Sequence, residues 1–199
     1  PRAPQEAGDG PFECPLLEER GSSTSKLEHR FEVPRSSDTV FSMRGAIAFF
    51  DAIAERYDKD YILDAPTSRE RMRAVVTLIA SAGRRVLDLG VGTGRELPQL
   101  LDGGFEVTGL DASQAMLDVC ARRARPIPLV LADFFGPLPF ADESFDAVIA
   151  LHGTLAHPEA PESFVNLGRE IARVLAPGGV FIAEAPSPDS TNSAPASRI

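Results

Sequence analysis

Val86-Leu87-Asp88-Leu89-Gly90-Val91-Gly92-Thr93-Gly94-Arg95 is the stretch on which the reading of this chain turns. A short apolar run through Val86 and Leu87 leads into Asp88 and then a glycine at every second position, Gly90, Gly92 and Gly94. Glu96-Leu97-Pro98-Gln99-Leu100-Leu101 then resumes with helix-like apolar spacing. That is the pattern of a strand, a tight turn and a helix N-terminus. Glycine is needed where the backbone takes positive φ, or where a ligand approaches the main chain without a Cβ in the way. The first amides of a helix carry partial positive charge, so the pattern predicts a cradle that suits an anionic group.

Spacing decides what such a loop holds. A dinucleotide fingerprint is Gly-x-Gly-x-x-Gly. Here the third glycine comes one residue early, and Asp88 stands two residues ahead of the first. A P-loop is excluded, because no Gly-Lys-Ser/Thr follows. The arrangement resembles the first motif, Asp/Glu-x-Gly-x-Gly-x-Gly, of the class I S-adenosylmethionine-dependent methyltransferases. The resemblance implies that the loop through Gly90, Gly92 and Gly94 wraps the methionine half of that cofactor, with Asp88 near its amino group. The alternative is an ordinary strand-to-helix turn of a doubly wound domain.

Phe105-Glu106-Val107-Thr108-Gly109-Leu110 reads as the next strand, ending at Asp111-Ala112-Ser113. A carboxylate just past the second strand of a βαβ unit lies where a ribose diol sits, and one carboxylate accepts both hydroxyls. Asp111 follows Gly94 by 17 residues, close to the roughly 20 of such a contact. A helix cap is the alternative; we place Ser113 as the cap of a helix over 114–124 and Asp111 as the ribose ligand. Gly109-Leu110-Asp111-Ala112-Ser113, followed by Met116, also resembles the family's second motif. It implies Ala112 and Met116 as cofactor-lining positions, with core packing equally open to Met116.

A third strand over 128–132 stops at Asp133-Phe134, and a fourth over 147–151 ends at Leu151. The resemblance implies that Asp133 faces the adenine amino group and that the Phe134 amide meets a ring nitrogen, with Leu151 also against the cofactor. A loop cap is the alternative for Asp133. Asp142, Glu143 and Asp146 read as solvated turn residues. Strands that end in polar or glycine-rich loops on one edge match the rule that open α/β sheets bind ligands there.

The chain has 199 residues, 43% hydrophobic and 25% charged, with net charge −9. That bounds one globular domain. The acidic balance argues against a nucleic-acid groove, which needs a basic stripe. No apolar run approaches membrane-spanning length. Cys14 and Cys120 have neither metal-ligand nor disulfide-framework spacing, so a reducing, cytoplasmic setting is expected. The sequence begins at Pro1 rather than Met, so nothing is read about a targeting segment.

Residues 1–37, rich in Pro, Glu, Ser and Gly, read as a disordered leader. Phe41, Ala46, Ile47, Phe49, Phe50, Ile53, Ala54 and Tyr57 recur at helical spacing, and a second helix is expected across 69–82. From Arg84 strands and helices alternate, which predicts a doubly wound, mostly parallel Rossmann-like α/β sheet across a domain of residues 38–185. The family closes its sheet with a C-terminal antiparallel hairpin, whereas residues 186–199 here are Pro/Ser/Ala-rich and read as a disordered tail. A fragment, a truncated relative and one part of a longer protein stay open. Strand 180–184 is left as an edge that invites a homodimer or a partner chain.

The front helices resemble a lid seen in that family. Ala54-Glu55-Arg56-Tyr57-Asp58 is similar to its Ala-x-x-Tyr-Asp phrase, which implies that Tyr57 reaches the cofactor; packing on the sheet is the alternative. Leu151-His152-Gly153-Thr154-Leu155-Ala156-His157 resembles the Gly-Asn-Ser/Thr-x-x-His segment of glycine and sarcosine N-methyltransferases, with His152-Gly153 in place of Gly-Asn. His152 and His157 are therefore the candidate catalytic residues, as base or substrate ligand. A metal is not expected. The resemblance implies methylation of a small-molecule acceptor. A non-catalytic cofactor-binding module is the rival reading, and the glycine spacing disfavours a nicotinamide-dependent oxidoreductase.

Overall fold

The computed structural model describes residues 43–60, 65–156 and 161–184. Five parallel strands run β1 (Arg85–Leu89), β2 (Glu106–Asp111), β3 (Leu129–Leu131), β4 (Phe145–Ala150) and β5 (Leu175–Ala183), side by side in the order β3-β2-β1-β4-β5. In register, Leu87 pairs with Thr108 on one side and Val148 on the other. Strand order therefore reverses between β1 and β4, and a crevice opens outside their carboxyl ends.

Alternation along the strands builds two cores. Val86 of β1 and Ala147 and Ile149 of β4 face one layer. There they meet Met72, Val75 and Ile79 of α3 (Ala65–Ala80), Leu97 and Leu100 of α4 (Leu97–Asp102), and Leu117 and Cys120 of α5 (Gln114–Arg123). Leu87, Leu89, Val148 and Ala150 face the other, against Leu167, Ile171 and Val174 of α6 (Pro161–Val174) and Phe134 and Leu138 of the preceding loop. Both faces are covered, as a buried parallel sheet requires. The same period places Asp88 on the Val86 face, 4% exposed.

The expected front helix divides into α1 (Met43–Ile53) and α2 (Tyr57–Asp60), joined by a turn in which the Arg56 amide donates to the Ile53 carbonyl at 2.9 Å. α1 packs Ile53 and the following Ala54 against Met116 and Val119 of α5. Ser113 is the α5 N-cap and accepts from the Met116 amide at 3.1 Å. The leader, Phe41, His157 and the tail lie outside the described residues.

One turn residue departs from its sequence reading. Asp146 is not a solvated turn carboxylate: it accepts the Arg84 and Arg85 amides (2.8 and 2.9 Å) and the Arg85 guanidinium (2.6 Å). It thereby clamps the start of β4 to the start of β1. The Arg85 hydrogen bonds pull its pKa down to about 2. Asp142 keeps an exposed position but pairs with Arg173, which also bonds the Leu138 and Phe140 carbonyls and Glu170. That arginine fastens the 133–144 loop to α6.

Candidate functional site

A cavity of about 410 Å³ opens at the reversal point, between the carboxyl ends of β1, β2 and β4 and the inner side of α1. Tyr57, Gly90, Gly92, Asp111, Ala112, Met116, Phe134, Leu151 and His152 all line it. Asp88, Gly94 and Asp133 do not line it.

The glycine loop works by shape. All three glycines take positive φ (+70°, +53° and +78° at Gly90, Gly92 and Gly94). A Cβ on Gly94 would stand 2.7 Å from the Cys120 sulfur, so that glycine serves close packing of α5 under the loop. A Cβ on Gly92 would meet nothing nearer than the Gly90 carbonyl at 3.9 Å, so it would project into open space. Gly92 is the cradle position.

Four of the loop's amides donate inside the protein, which leaves fewer for an anion than its sequence suggests. The Gly90 and Val91 amides donate to the Leu110 carbonyl (2.7 and 3.1 Å), and Gly94 donates to Val91 (2.9 Å). The Gly92 amide donates to Asp111 Oδ2 at 2.8 Å. The Leu97 amide, first in α4, donates to the Gly94 carbonyl at 3.2 Å, and α4 is too short to project much field. What surrounds the loop is acidic. Burial pushes the Asp88 carboxyl well above the usual carboxylate range, and Glu96 and Asp111 push it further.

Asp111 does two jobs at the rim. Its Oδ2 holds the Gly92 amide and its Oδ1 the Ser113 amide (2.9 Å). Each carboxylate oxygen has a second lone pair, so a vicinal diol in the cavity still finds acceptors there. Burial raises its pKa, and the Ser113, Gly92 and Ala112 amides oppose that rise. Asp133 has the geometry of a turn instead: it is exposed, and its Oδ1 accepts the Phe135 amide at 2.8 Å.

The lid helices are tied down by carboxylates. Asp51 Oδ1 of α1 accepts the Ser113 hydroxyl (2.5 Å) and the Ala115 amide (3.2 Å). Asp58 of α2 accepts the Thr93 hydroxyl (2.8 Å) and Arg95 Nη2 (2.9 Å), and pairs with Arg123. The Arg95 guanidinium lies over the Tyr57 ring at 5.4 Å. Phe49, Phe50 and Ile47 of α1 supply an apolar ceiling. Their helical spacing was readable; that they face a cavity was not.

His152 sits differently from a base open to the cavity. Its Nδ1 is 3.0 Å from Arg71 Nη2, and its Nε2 is bonded to Glu96 Oε1. Its own amide donates to Glu184 Oε2 at 2.7 Å, while Glu184 Oε1 holds Arg71 Nε at 2.8 Å. Both ring nitrogens are engaged, and the backbone is held at φ +55°. That is a conformation costing about 1–3 kcal/mol for a residue with a Cβ, of a kind that clusters at functional sites. Glu96, absent from the sequence reading, lines the cavity beside it and is 8% exposed.

Among known proteins, a family model described as a methyltransferase domain matches residues 87–183. The chain is 38% identical over 137 residues to a demethylmenaquinone methyltransferase of Renibacterium salmoninarum, covering 68% of this chain and 56% of the relative. It is 37% identical over 156 residues to the Paenarthrobacter aurescens protein of the same name, covering 77% and 57%. The chain thus spans about half the length of the curated relatives it matches. Among solved structures, the CcbJ methyltransferase of Streptomyces caelestis superposes with TM-score 0.59 at 34% identity, over 68% of this chain and 56% of that one. The DhpI–SAH complex superposes with TM-score 0.56 at 28% identity, over 70% and 68%.

Proposed function

We propose that the chain, whose residues 87–183 match the methyltransferase domain model, is a class I Rossmann-like S-adenosylmethionine-dependent methyltransferase acting on a small-molecule acceptor. The observation that carries the proposal is the rim of the cavity, where Asp111 bridges the Gly92 amide and the α5 turn beside a glycine with no side chain to block it. A pyrophosphate needs free N–H donors, and four of this loop's amides, those of Gly90, Val91, Gly92 and Gly94, already donate to Leu110, Asp111 and Val91. A cofactor with a cationic centre and no phosphate suits an acidic cradle. The solved DhpI complex, named for its bound SAH, supports the same choice.

When bound, S-adenosylmethionine supplies a methyl group on a sulfonium, open to in-line displacement by a nucleophile. The residues of this chain then bind and orient. Asp111 offers its remaining lone pairs to the ribose, Gly92 admits the chain beyond it, and Met116 and Phe134 flank the apolar part of the cavity. Phe49, Phe50 and Tyr57 exclude water from above. Such positioning contributes roughly 7–11 kcal/mol toward a displacement.

The acceptor reading follows the relatives named demethylmenaquinone methyltransferase, and an apolar ceiling suits an acceptor with a flat apolar body. The buried free thiol of Cys120, its pKa raised by burial to about 11, is consistent with a cytoplasmic setting. Among the described residues β5 is an edge strand, with Phe181 42% exposed, which supports pairing with a second chain. Transfer of labelled methyl from S-adenosylmethionine to a panel containing reduced demethylmenaquinone, catechol and sarcosine tests the activity. Turnover with one of them is the expected result. Intact cofactor binding without transfer to any acceptor makes the chain a binding module.

A further inference from the structure

Four side chains from separate parts of the fold meet beside the cavity, which two of them, Glu96 and His152, line: Arg71 of α3, Glu96 after the glycine loop, His152 after β4 and Glu184 after β5. Their hydrogen bonds fix a protonation pattern. Arg71 is a donor only, so the His152 Nδ1 facing it at 3.0 Å must be the acceptor. The imidazole proton is then on Nε2, and Nε2–H donates to Glu96 Oε1. Glu184 Oε2 also lies 3.9 Å from Nδ1, and the guanidinium at 3.0 Å is the closer partner.

Charge counting exposes what is missing. Arg71 and Glu184 form their own ion pair at 2.8 Å, and the neutral imidazole adds nothing. The carboxylate of Glu96 is left with a neutral hydrogen-bond donor and no cation among the described residues. Arg95, the next residue back, is committed to Asp58. Glu96 is nevertheless nine-tenths buried and forms part of the cavity wall. A buried carboxylate without a counter-charge is costly, and a ligand that brings one relieves that cost.

We infer that Glu96 is a binding residue for a cationic nitrogen of the ligand, with His152, Arg71 and Glu184 as the positioning residues that aim it. The inference rests on the methyltransferase reading for the identity of the ligands. The nitrogen belongs either to the amino-acid end of the cofactor or to an amine on the methyl acceptor, and one chemistry serves both. His152 is thereby a support for Glu96 through Nε2–H, and Arg71 is the residue that selects the tautomer.

Calorimetry on the full chain and its Glu96→Gln variant separates the sources. One arm compares S-adenosylhomocysteine with 5′-methylthioadenosine, which lacks the amino-acid group. The other compares 2-phenylethylamine with propylbenzene, its uncharged analogue. We expect Glu96→Gln to weaken either S-adenosylhomocysteine or 2-phenylethylamine at least tenfold, while the matching uncharged probe changes less than threefold. The first result assigns the cofactor's ammonium and the second an acceptor amine; unchanged affinity in both arms overturns the inference. Wild-type protein that binds neither nucleoside defeats the cofactor reading instead, and the amine arm still decides the role of Glu96. Should Glu96→Gln fail to fold, 15N spectra of histidine-labelled wild-type protein, assigned with His152→Gln, decide. The Nε2–H tautomer is expected, mixed with the other form in Arg71→Met. An Nδ1–H or doubly protonated His152 in the wild type overturns the inference.

Discussion

Asp111 Oδ2 accepts the backbone N–H of Gly92 at 2.8 Å, so a carboxylate at the end of β2 sets the shape of the loop that leaves β1. Its other oxygen does the same for the turn into α5. On the proposed reading, ligand contact and loop geometry are joined in one side chain. Asp111→Ala should therefore weaken S-adenosylhomocysteine binding at least tenfold by calorimetry, through lost acceptors and a loosened Gly92. Unchanged affinity would remove Asp111 from the site.

Two glycines two residues apart should respond in opposite ways. Gly92→Ala has open space for its methyl and mainly bears the cost of φ +53°, about 1–2 kcal/mol. It should fold, melt a few degrees lower and lose at least tenfold in cofactor affinity. Gly94→Ala puts its methyl 2.7 Å from the Cys120 sulfur at φ +78°, so thermal unfolding should show a much larger loss. Equal melting temperatures for the two variants would contradict this division.

Asp58 joins the lid to the loop through Thr93, Arg95 and Arg123. Asp58→Ala leaves the 3.2 Å and 2.5 Å bonds of Asp51 as the tether of α1 to the α5 turn. Hydrogen exchange of amides 43–60 should accelerate at least fivefold, with amides of β1 and β4 unchanged. Uniform exchange rates across wild type and variant would show that α2 is held by packing alone.

Acid should act through Asp146. Its folded pKa of about 2 lies below the unfolded value near 3.9, so its contribution is complete above about pH 4 and is lost as pH falls toward 2. Asp146→Asn should cost roughly 1–2 kcal/mol at pH 7 in urea unfolding. The gap between variant and wild type should close as pH falls from 5 to 2. A gap independent of pH would place the stabilisation elsewhere.

The parts of this fold that are local in sequence were legible. Three glycines with positive φ, a Ser113 cap and the alternation of strands with helices follow from backbone sterics and periodicity within a dozen residues. Asp88 lies off the cavity wall, and its period-2 position beside Val86 accounts for that burial. The partners of the Gly90, Val91 and Gly92 amides were not legible either. The Leu110 carbonyl and Asp111 that occupy them come from the neighbouring strand, and no local pattern announces them.

The corner around His152 was the least legible part. Arg71 lies 81 residues from His152 and Glu96 lies 56 residues away. Only the strand order brings β4 beside β1 and β5 beside β4, and sets α3 behind them. A histidine read alone suggests a free base, while in its place both nitrogens are taken. Asp146 is a parallel case, a turn residue by composition and a clamp by topology.

Titrating S-adenosylhomocysteine and NADH separately into the full chain is the direct trial of a glycine crevice shaped for a phosphate-free nucleoside. At least tenfold tighter binding of S-adenosylhomocysteine is the predicted outcome. No heat from S-adenosylhomocysteine, or tighter binding of NADH, would contradict it.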